Sequence, residues 1–387
     1  MKVTLAKGTL SIPPTYFAVA HALAMPDIDW TIVTRTARID DPSMSVPVLQ
    51  VVPDRLAPTV QHVAKWAYGH AMTRMIVASH PDIIHQQQAT WSLPAARASR
   101  ELGVPLVTTL HGGDAYHHSN LGIHLPSVPR RAGAYWNDLN IEAAFHQSTQ
   151  LLAVSGFLAD KAVQSGADAR KLTVHYQGVD TNWWTPATSS ITSEQSPLAT
   201  DDPILLFVGA LSELKGLPDL LSAHDSLSSS YPHHLVLIGD GPLRSQVDEA
   251  ATADPSIHVL GRATKEEVRT WMRCATGLVL PTRTTNGRAE AAGLVLLEAQ
   301  ACGTPVIANR VGGTPEMVAP SWSDHLSWEH DVQSLASQMT ALLSMNESER
   351  EERAQRASRW VKENRSVTRA TEQLRDIYSQ LTHSTAF

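Results

Sequence analysis

Two glutamates flank a glycine in the segment Arg288-Ala-Glu290-Ala-Ala-Gly293-Leu-Val-Leu-Leu-Glu298. Gly293 follows an apolar run and a polar loop and opens a stretch of helical character, so the unpaired N–H groups of a helix start are expected there. The positive dipole end of such a helix favours a phosphate. Glu298 would lie in the second helical turn, where a carboxylate can bind a ribose diol. Glu290 would reach the group beyond the phosphates.

A pair of glutamates without this context would be interpreted as a loop charge and a solvated helix residue. Glu298, however, stands between Leu297 and Ala299 in an apolar run. An unpaired carboxylate buried there would be costly. The segment therefore favours a pocket for a nucleotide that carries a further group.

Short β-branched runs alternate with longer stretches of helical period, and this pattern occurs twice. In the first half, strands are predicted at Lys2–Leu5, Trp30–Thr34, Val48–Val52, Ile83–His85, Leu106–Leu110, Gln150–Val154 and Leu172–His175. In the second half, they are predicted at Ile204–Val208, Leu235–Ile238, Ile257–Leu260, Gly277–Leu280 and Val306–Ala308. The pattern predicts an α/β fold of two doubly wound, Rossmann-like domains. Because open parallel sheets bind ligands at the carboxyl ends of their strands, we expect the domains to face an inter-domain cleft for two substrates.

The expected limits are 1–185 for an N-terminal acceptor-binding domain and 204–365 for a C-terminal donor-binding domain. Residues 186–203 are rich in Ser, Thr, Pro and Asp and are predicted to be a linker. A C-terminal helix over 366–387 is expected to pack back on the N-terminal domain. The stretch Tyr16–Met25 is apolar but is preceded by two prolines, so it is predicted to be the first helix rather than a signal peptide.

Composition limits the partners and the compartment. The formal net charge is −7 and no cluster of Lys and Arg exists, which argues against a nucleic-acid partner. Cys274 and Cys302 lie far apart, which indicates neither a disulfide framework nor a metal pair. No apolar run reaches the roughly 18–20 residues of a membrane span. A cytoplasmic location is predicted, with peripheral contact at the inner face of the membrane if the acceptor is lipid-linked.

Several motifs together resemble one family. The two glutamates have seven residues between them and are followed by Ala-x-Ala-x-Gly-x-Pro-Val and by Val311-Gly-Gly-Thr-Pro-Glu316. Other matching pieces are Thr109-Leu-His111-Gly-Gly-Asp114, Tyr176-Gln-Gly-Val-Asp180, Val208-Gly-Ala-Leu-Ser-Glu-Leu-Lys215-Gly, Ile238-Gly-Asp-Gly-Pro-Leu243 and Val259-Leu-Gly-Arg262. In this order and spacing, they resemble the retaining glycosyltransferases of the GT-B fold, family 4.

The resemblance implies a donor site in the second half. Lys215 would bind the donor diphosphate, where a cation suits a leaving group that gains negative charge. The family usually has an arginine where this chain has Ala210, which leaves more of that charge to Lys215 and the helix start at Gly293. Gly261 and Arg262 would lie near the nucleobase. The implied donor-binding residues are Gly209, Lys215, Gly239, Gly261, Arg262, Glu290, Gly293, Leu294, Val295 and Glu298.

The resemblance also implies an acceptor side in the first half. His111 follows the apolar run Pro105–Leu110, where a lone histidine is as often a structural cap as a functional group. By resemblance it would contact the donor sugar near the reacting carbon and stabilise oxocarbenium charge, which makes the catalytic set His111, Glu290 and Lys215. The loop Gly8–Phe17 would form an acceptor wall. The implied acceptor-binding residues are Gly8, Thr15, Gly112, Gly113 and Asp114.

The implied reaction transfers a hexose-type sugar, with retention, from a nucleotide-diphosphate sugar to a hydroxyl of a glycan, a lipid-linked or a small-molecule acceptor, in cell-surface polysaccharide assembly. No cofactor and no metal are expected, because Lys215 and the helix start would take the role of Mg²⁺. Asp27-Ile-Asp29 has a metal-binding DxD form, but at a predicted turn away from the cleft. Two alternatives stay open: a sugar-nucleotide epimerase or hydrolase of the same fold, and a noncatalytic nucleotide-sugar-binding subunit, which Ala210 favours.

Overall fold

The computed structural model describes residues 1–12, 15–41, 44–52, 65–116, 128–187, 197–198 and 200–384. The chain divides into two compact units. The first unit comprises Met1–Gln177 together with Val367–Phe387, and the second comprises Gly178–Ser366. Most of the proposed linker 186–203 lies outside the described residues.

The first unit is built on a seven-stranded parallel sheet. Its strands are β1 (Lys2–Ile12), β2 (Asp29–Ile39), β3 (Val48–Gln50), β4 (Ile83–Gln87), β5 (Leu106–Leu110), β6 (Gln150–Ala153) and β7 (Leu172–Val174), in the order β3-β2-β1-β4-β5-β6-β7. Its helices are α1 (Ala20–Ala24), α2 (Lys65–Ala78), α3 (Ser92–Leu102), α4 (Val128–Gln147) and α5 (Gly156–Gln164), with short 3-10 turns at Tyr16–Ala18, Ala89–Trp91 and Ala169–Lys171. The central strands β4 and β5 are buried along their whole length, as parallel strands covered on both faces must be.

The second unit has a six-stranded parallel sheet. Its strands are β8 (Ile204–Val208), β9 (His234–Ile238), β10 (Ile257–Gly261), β11 (Gly277–Leu280), β12 (Val306–Asn309) and β13 (Leu326–Ser327), in the order β10-β9-β8-β11-β12-β13. Its helices are α6 (Leu217–Ser228), α7 (Arg244–Ala253), α8 (Lys265–Cys274), α9 (Leu294–Ala301), α10 (Val332–Leu343) and α11 (Glu347–Asn364), with 3-10 turns at Glu213–Lys215, Thr314–Met317 and Pro320–His325. The fold class is confirmed as two doubly wound parallel α/β sheets.

The first strand is longer than the sequence pattern predicts. β1 continues to Ile12 and pairs in parallel with β2 through Thr9, Leu10, Ser11 and Ile12. Leu10 and Ile12 are fully buried, and this burial extends the strand beyond the predicted end at Leu5. The expected loop Gly8–Phe17 was therefore wrong over its first half, where the chain is strand.

The C-terminal helix α12 (Val367–Ser384) belongs to the first unit. Its Leu374 and Tyr378 are fully buried in the same core cluster as Leu5 and Trp30. At its surface Arg375 binds both carboxylate oxygens of Asp27, at 2.6 and 2.5 Å. In the structure, Asp27 of the DxD sequence is therefore the partner of an arginine.

Residues 178–185 belong to the second unit, although they precede the expected linker. Val179 forms a parallel bridge with Ser366. Arg273 on α8 donates to the carbonyl and to the hydroxyl of Thr185, both at 2.8 Å. These long-range contacts have no signal in the local sequence. The domain limits proposed from the sequence stay a prediction.

Candidate active site

In the second unit, Gly293 caps the start of α9 with a left-handed backbone (φ 78°). A glycine adopts this conformation without the steric cost of a side chain. The first helical bond runs from the Leu296 N–H to the Gly293 carbonyl at 2.9 Å. The N–H groups of Leu294 and Val295 have no partner within the helix, as at any helix start. The predicted helix start is thus present at this position, and its binding of a phosphate stays a prediction.

Glu290 and Lys215, expected at the sugar and at the diphosphate, form an ion pair between Lys215 Nζ and Glu290 Oε2. The side chains are only 15% exposed for Glu290 and 20% exposed for Lys215. A pair so shielded from water interacts more strongly than a surface pair. The structure therefore brings together two residues that lie 75 positions apart in the sequence.

The loop that carries Glu290 is held by the Val311-Gly-Gly motif. The Gly313 N–H donates to the Glu290 carbonyl at 2.9 Å. Gly312 has φ 60°, and a Cβ at this position would lie 2.1 Å from the same carbonyl oxygen. The motif thus positions the Glu290 backbone, and the close approach explains why a glycine stands at position 312.

Lys215 is held in a similar way by the loop after β11. Gly216 has φ 70°, and a Cβ there would lie 1.6 Å from the Pro281 carbonyl oxygen. The Arg283 N–H donates to the Leu214 carbonyl at 3.0 Å, and the Arg283 side chain pairs with Glu213. The backbone before and after Lys215 is therefore fixed, which directs its flexible side chain.

Ala210 stands where the family usually has an arginine, which would be the second cation for the phosphates, and Ala210 is exposed. Arg288, considered as a substitute, follows a tight turn closed by hydrogen bonds between Thr285 and Arg288 at 2.8 and 3.0 Å. Asn286 and Gly287 occupy this turn with φ 51° and 70°, the signature of a type I′ turn. The Arg288 side chain is exposed.

Three glycines, Gly209, Gly239 and Gly261, lie at the carboxyl ends of the strands β8, β9 and β10. The Gly209 N–H donates to the Ile238 carbonyl at 3.0 Å, and the Gly239 N–H donates to the Gly261 carbonyl at 2.7 Å. A Cβ on Gly239 would lie 1.8 Å from the Gly209 carbonyl oxygen. Arg262 is 85% exposed and lies 3.5 Å from Asp240. These loops form one packed edge of the sheet, where a ligand can approach the backbone.

Glu298 lies on α9 and is partly buried. Burial raises the pKa of its carboxyl to about 7, and the positive charge of Lys265 opposes the rise. Within the described residues, no protein group donates a hydrogen bond to this carboxyl. A hydroxyl pair of a ligand would supply the missing donors.

In the first unit, His111 follows β5 directly. Its Nε2 lies 2.6 Å from Gln87 Oε1, and its Nδ1 lies 3.2 Å from Gln177 Nε2. The ring also lies against Phe17, with the centroids 4.8 Å apart. Burial and then the nearby charge of Lys7 lower the pKa of His111 well below its usual value. The imidazole is therefore neutral at physiological pH.

Asp114 fixes a turn through three backbone hydrogen bonds, and its expected binding of substrate hydroxyls stays a prediction. It is 4% exposed, and its carboxylate accepts from the backbone N–H groups of Ala89, His111 and Gly112 at 2.9, 2.9 and 2.7 Å. Asp114 therefore holds the His111–Gly113 turn in place.

Two other acceptor-side residues also have structural contacts. Thr15 is hydrogen-bonded to the backbone of Ser11 near the end of β1: its hydroxyl donates to the Ser11 carbonyl at 2.7 Å and accepts from the Ser11 N–H at 3.1 Å. Gly8 lies inside β1, where a Cβ would lie 2.1 Å from Cδ1 of Trp91. Gly8 thus gives space to an indole ring.

Sequence reasoning missed Lys7, which is 1% exposed in the middle of β1. Its ammonium donates to Gln88 Oε1 at 2.7 Å and lies 5.4 Å from the Phe17 ring centroid. Burial lowers the pKa of Lys7 to about 8, and Asp114 opposes the change. Gln88 has φ 71°, and such backbone strain at a non-glycine residue concentrates at functional sites. The sequence did contain one signal for Lys7, because a lysine among the apolar residues of a strand is unusual.

Two absences concern only the described parts of the chain. They contain no group of three or more His, Cys, Asp or Glu side chains that could hold a metal ion. Over the same residues, no helix has the length and apolar character needed to cross a bilayer.

Comparison with known proteins assigns this arrangement to a class. The family model described as glycosyl transferases group 1 matches residues 202–345, and the one described as glycosyltransferase family 4 matches residues 15–183. A D-inositol 3-phosphate glycosyltransferase of Acidothermus cellulolyticus is 30% identical over 355 residues, which cover 84% of this chain and 76% of that protein. One from Frankia alni is 31% identical over 280 residues, which cover 68% of this chain and 65% of that protein.

Solved structures agree on the fold. Anabaena HepE, crystallised with UDP-glucose, superposes with a TM-score of 0.76 at 19% identity over 98% of this chain and 100% of that one. Sucrose-phosphate synthase from Thermosynechococcus elongatus gives 0.79 at 18% identity over 99% of this chain and 100% of that one. The fold and the matched families define a glycosyltransferase of the GT-B class. The chain belongs to glycosyltransferase family 4.

Proposed function

We propose that this protein transfers a hexose-type sugar, with retention and without a metal, from a nucleotide-diphosphate sugar to a hydroxyl of a glycan, a lipid-linked or a small-molecule acceptor, in cell-surface polysaccharide assembly. The shielded Lys215–Glu290 pair beside the helix start at Gly293 carries the proposal. A cation, a carboxylate and the N–H groups of the first turn of α9 thus lie near one another at one edge of the sheet.

Each group has a separate role in the proposed reaction. As the bond to the donor phosphate breaks, the diphosphate gains negative charge, which Lys215 and the N–H groups of Leu294 and Val295 stabilise. Glu290 breaks its ion pair with Lys215 and then binds hydroxyls of the transferred sugar. Glu298 accepts from the ribose hydroxyls.

No protein nucleophile takes part in this scheme. The departing phosphate accepts the proton of the acceptor hydroxyl as the new glycosidic bond forms on the face from which the phosphate leaves. His111 acts near the reacting carbon, where a neutral imidazole does not repel developing positive charge. Exclusion of water protects the donor from hydrolysis.

The relatives indicate where to begin with substrates. HepE was crystallised with UDP-glucose, so this donor is the first to test. The matched relatives act on D-inositol 3-phosphate by name, so a phosphorylated polyol belongs in the acceptor panel beside glycans and lipid-linked sugars. In the first unit, the buried ammonium of Lys7 supports an acceptor that carries negative charge.

The test combines a donor panel with an acceptor panel and measures release of the nucleoside diphosphate in the presence of EDTA. We expect turnover that requires the acceptor, persists in EDTA and is lost in Glu290→Ala. Rapid donor turnover without any acceptor would instead identify an epimerase or hydrolase. Tight donor binding without turnover on any acceptor would favour the noncatalytic subunit. Loss of activity in EDTA that Mg²⁺ restores would contradict the metal-free scheme.

A further inference from the structure

A chain of hydrogen-bonded groups inside the first unit connects a backbone carbonyl near the N-terminus to the C-terminal helix α12. It runs through the Phe17 carbonyl, Gln177, His111, Gln87, His85 and Tyr378. Except for Phe17 and His111, which are partly buried, these residues are buried. Because water does not compete for such bonds, each group must find its partner within the chain.

The Phe17 carbonyl fixes the direction of the first half of this chain. A carbonyl can only accept, so the amide nitrogen of Gln177 faces it at 3.3 Å. The same nitrogen lies 3.2 Å from His111 Nδ1, which must therefore be the acceptor. A neutral imidazole carries one proton, so that of His111 is on Nε2, from which it donates to Gln87 Oε1 at 2.6 Å.

The second half follows from the orientation of Gln87. With its oxygen towards His111, its amide nitrogen lies 3.3 Å from His85 Nε2. That ring nitrogen also lies 2.7 Å from the Thr109 hydroxyl, so it accepts from both groups. The proton of His85 is then on Nδ1, which donates to the Tyr378 hydroxyl oxygen at 2.5 Å. The donors and acceptors agree from the Phe17 carbonyl to the Tyr378 oxygen.

The surroundings keep both imidazoles neutral. Burial, and after it the nearby His21 and His175, lower the pKa of His85 to about 3. For His111 the same cause acts together with Lys7 and these histidines. The backbone N–H of His111 donates to Asp114, so that carboxylate is engaged away from the ring.

We propose that Gln177, Gln87, His85 and Tyr378 are positioning residues that hold His111 as the neutral Nε2–H tautomer. This inference rests on the proposed role of His111 in sugar transfer. A protonated ring would repel the positive charge that develops on the transferred sugar, and the Nδ1–H tautomer would lose the hydrogen bonds to both Gln177 and Gln87 that fix the ring. Helix α12 thereby influences chemistry at a residue that precedes Tyr378 by more than 260 positions.

The direct test is nuclear magnetic resonance of the protein labelled with ¹⁵N in its histidine side chains, which distinguishes Nδ1–H, Nε2–H and doubly protonated imidazole. In the wild-type protein, we expect His111 as Nε2–H and His85 as Nδ1–H from pH 6 to 8. His111→Asn and His85→Asn assign the two signals. An Nδ1–H or doubly protonated His111 in the wild-type protein would overturn the proposal, whatever the activity.

Gln177→Glu changes the chain with almost no change of shape. Carboxylate oxygens replace the amide donor, so His111 Nδ1 must hold a proton to keep a bond, and the ring becomes doubly protonated. We expect the His111 pKa to rise into the range studied and kcat to fall about tenfold or more at pH 6, with recovery at higher pH and an unchanged donor KM. Gln164→Glu, on the exposed end of α5, is the matched control and should change neither quantity.

Tyr378→Phe removes only the hydroxyl that accepts from His85 and keeps the ring in the core. We expect a mixed tautomer signal for His85 and a fall in kcat of about two- to tenfold, the range that one hydrogen bond supports. Tyr135→Phe, at a tyrosine that is 65% exposed, is the control. If Gln177→Glu does not fold, Tyr378→Phe and the wild-type spectrum decide the question.

The outcomes separate this inference from the proposed function. Tautomers that change as expected while transfer stays at the wild-type rate would support the arrangement of protons and refute the role of His111. Unchanged tautomers in both variants would refute the positioning role, even if transfer is lost.

Discussion

Lys215→Ala is the sharpest test of the proposed donor site. The family pattern has two cations for the diphosphate, and because Ala210 replaces one of them, Lys215 is the one that this chain keeps. Removal of one preorganised group that stabilises transition-state charge costs about 10²–10³ in kcat, or roughly 2.7–4 kcal/mol. We expect a loss at the upper end of this range for Lys215→Ala. The donor KM should change less than kcat, because the diphosphate gains charge as the bond breaks.

The same substitution affects stability through Glu290. A surface ion pair contributes roughly 0–1 kcal/mol, whereas removal of one partner from a fully buried pair costs roughly 3–5 kcal/mol. With its side chains 15% and 20% exposed, the pair lies between these limits, so we expect a loss of about 1–2 kcal/mol after allowance for solvent screening. For a unit of this size, that is a fall in Tm of about 2–8 °C.

A continuous assay of nucleoside diphosphate release with saturating acceptor gives kcat and KM, and calorimetry gives Tm. Lys362→Ala, at an exposed lysine on α11, is the control and should leave both unchanged. The double variant Lys215→Ala/Glu290→Gln removes both charges and should regain the lost stability without regaining transfer. A Lys215→Ala protein with kcat within about twofold of the wild type would refute the assignment of Lys215 to the diphosphate.

Three further predictions concern the same unit. Ala210→Arg should restore part of the activity lost in Lys215→Ala, measured as kcat of the double variant against each single one; no gain would mean that position 210 does not face the diphosphate. Gly312→Ala should lower Tm and kcat together, because a Cβ there meets the Glu290 carbonyl at 2.1 Å and φ is 60°; unchanged kinetics would refute the role of this motif. The pKa of Glu298 is raised to about 7 in the folded protein, so the folded protein keeps this proton at pH values where the unfolded chain has already lost it. The free energy of unfolding should therefore decrease as the pH rises from the ordinary glutamate pKa to about 7. Over the upper part of this window, UDP affinity measured by titration calorimetry should increase as the carboxylate forms, and Glu298→Gln should abolish both dependences.

The sequence predicted the elements of the donor site well because their signals are local. Strands Ile204–Val208 and Gly277–Leu280 have the predicted limits, since continuous apolar runs between turn residues define buried parallel strands. The helix after Gly293 begins where the glycine and the loop before it indicated. β13 was missed because two residues carry no periodicity.

Contacts between distant segments explain what the sequence did not predict. Asp114 lies in a motif that resembles a binding site, and only the fold brings the Ala89 N–H to its carboxylate. Gly8 was assigned to a loop because the indole of Trp91, which requires that glycine inside a strand, is more than 80 residues away.

By itself, the sequence determined that this protein has two parallel α/β sheets and which loops carry the proposed donor-site residues, because periodicity, glycine positions and helix starts are properties of neighbouring residues. Only the tertiary structure decided which of these residues meet. It joined Lys215 to Glu290 and brought Tyr378 to His85. Ion pairs and hydrogen bonds depend on separations of a few ångströms in space, and sequence distance does not specify these.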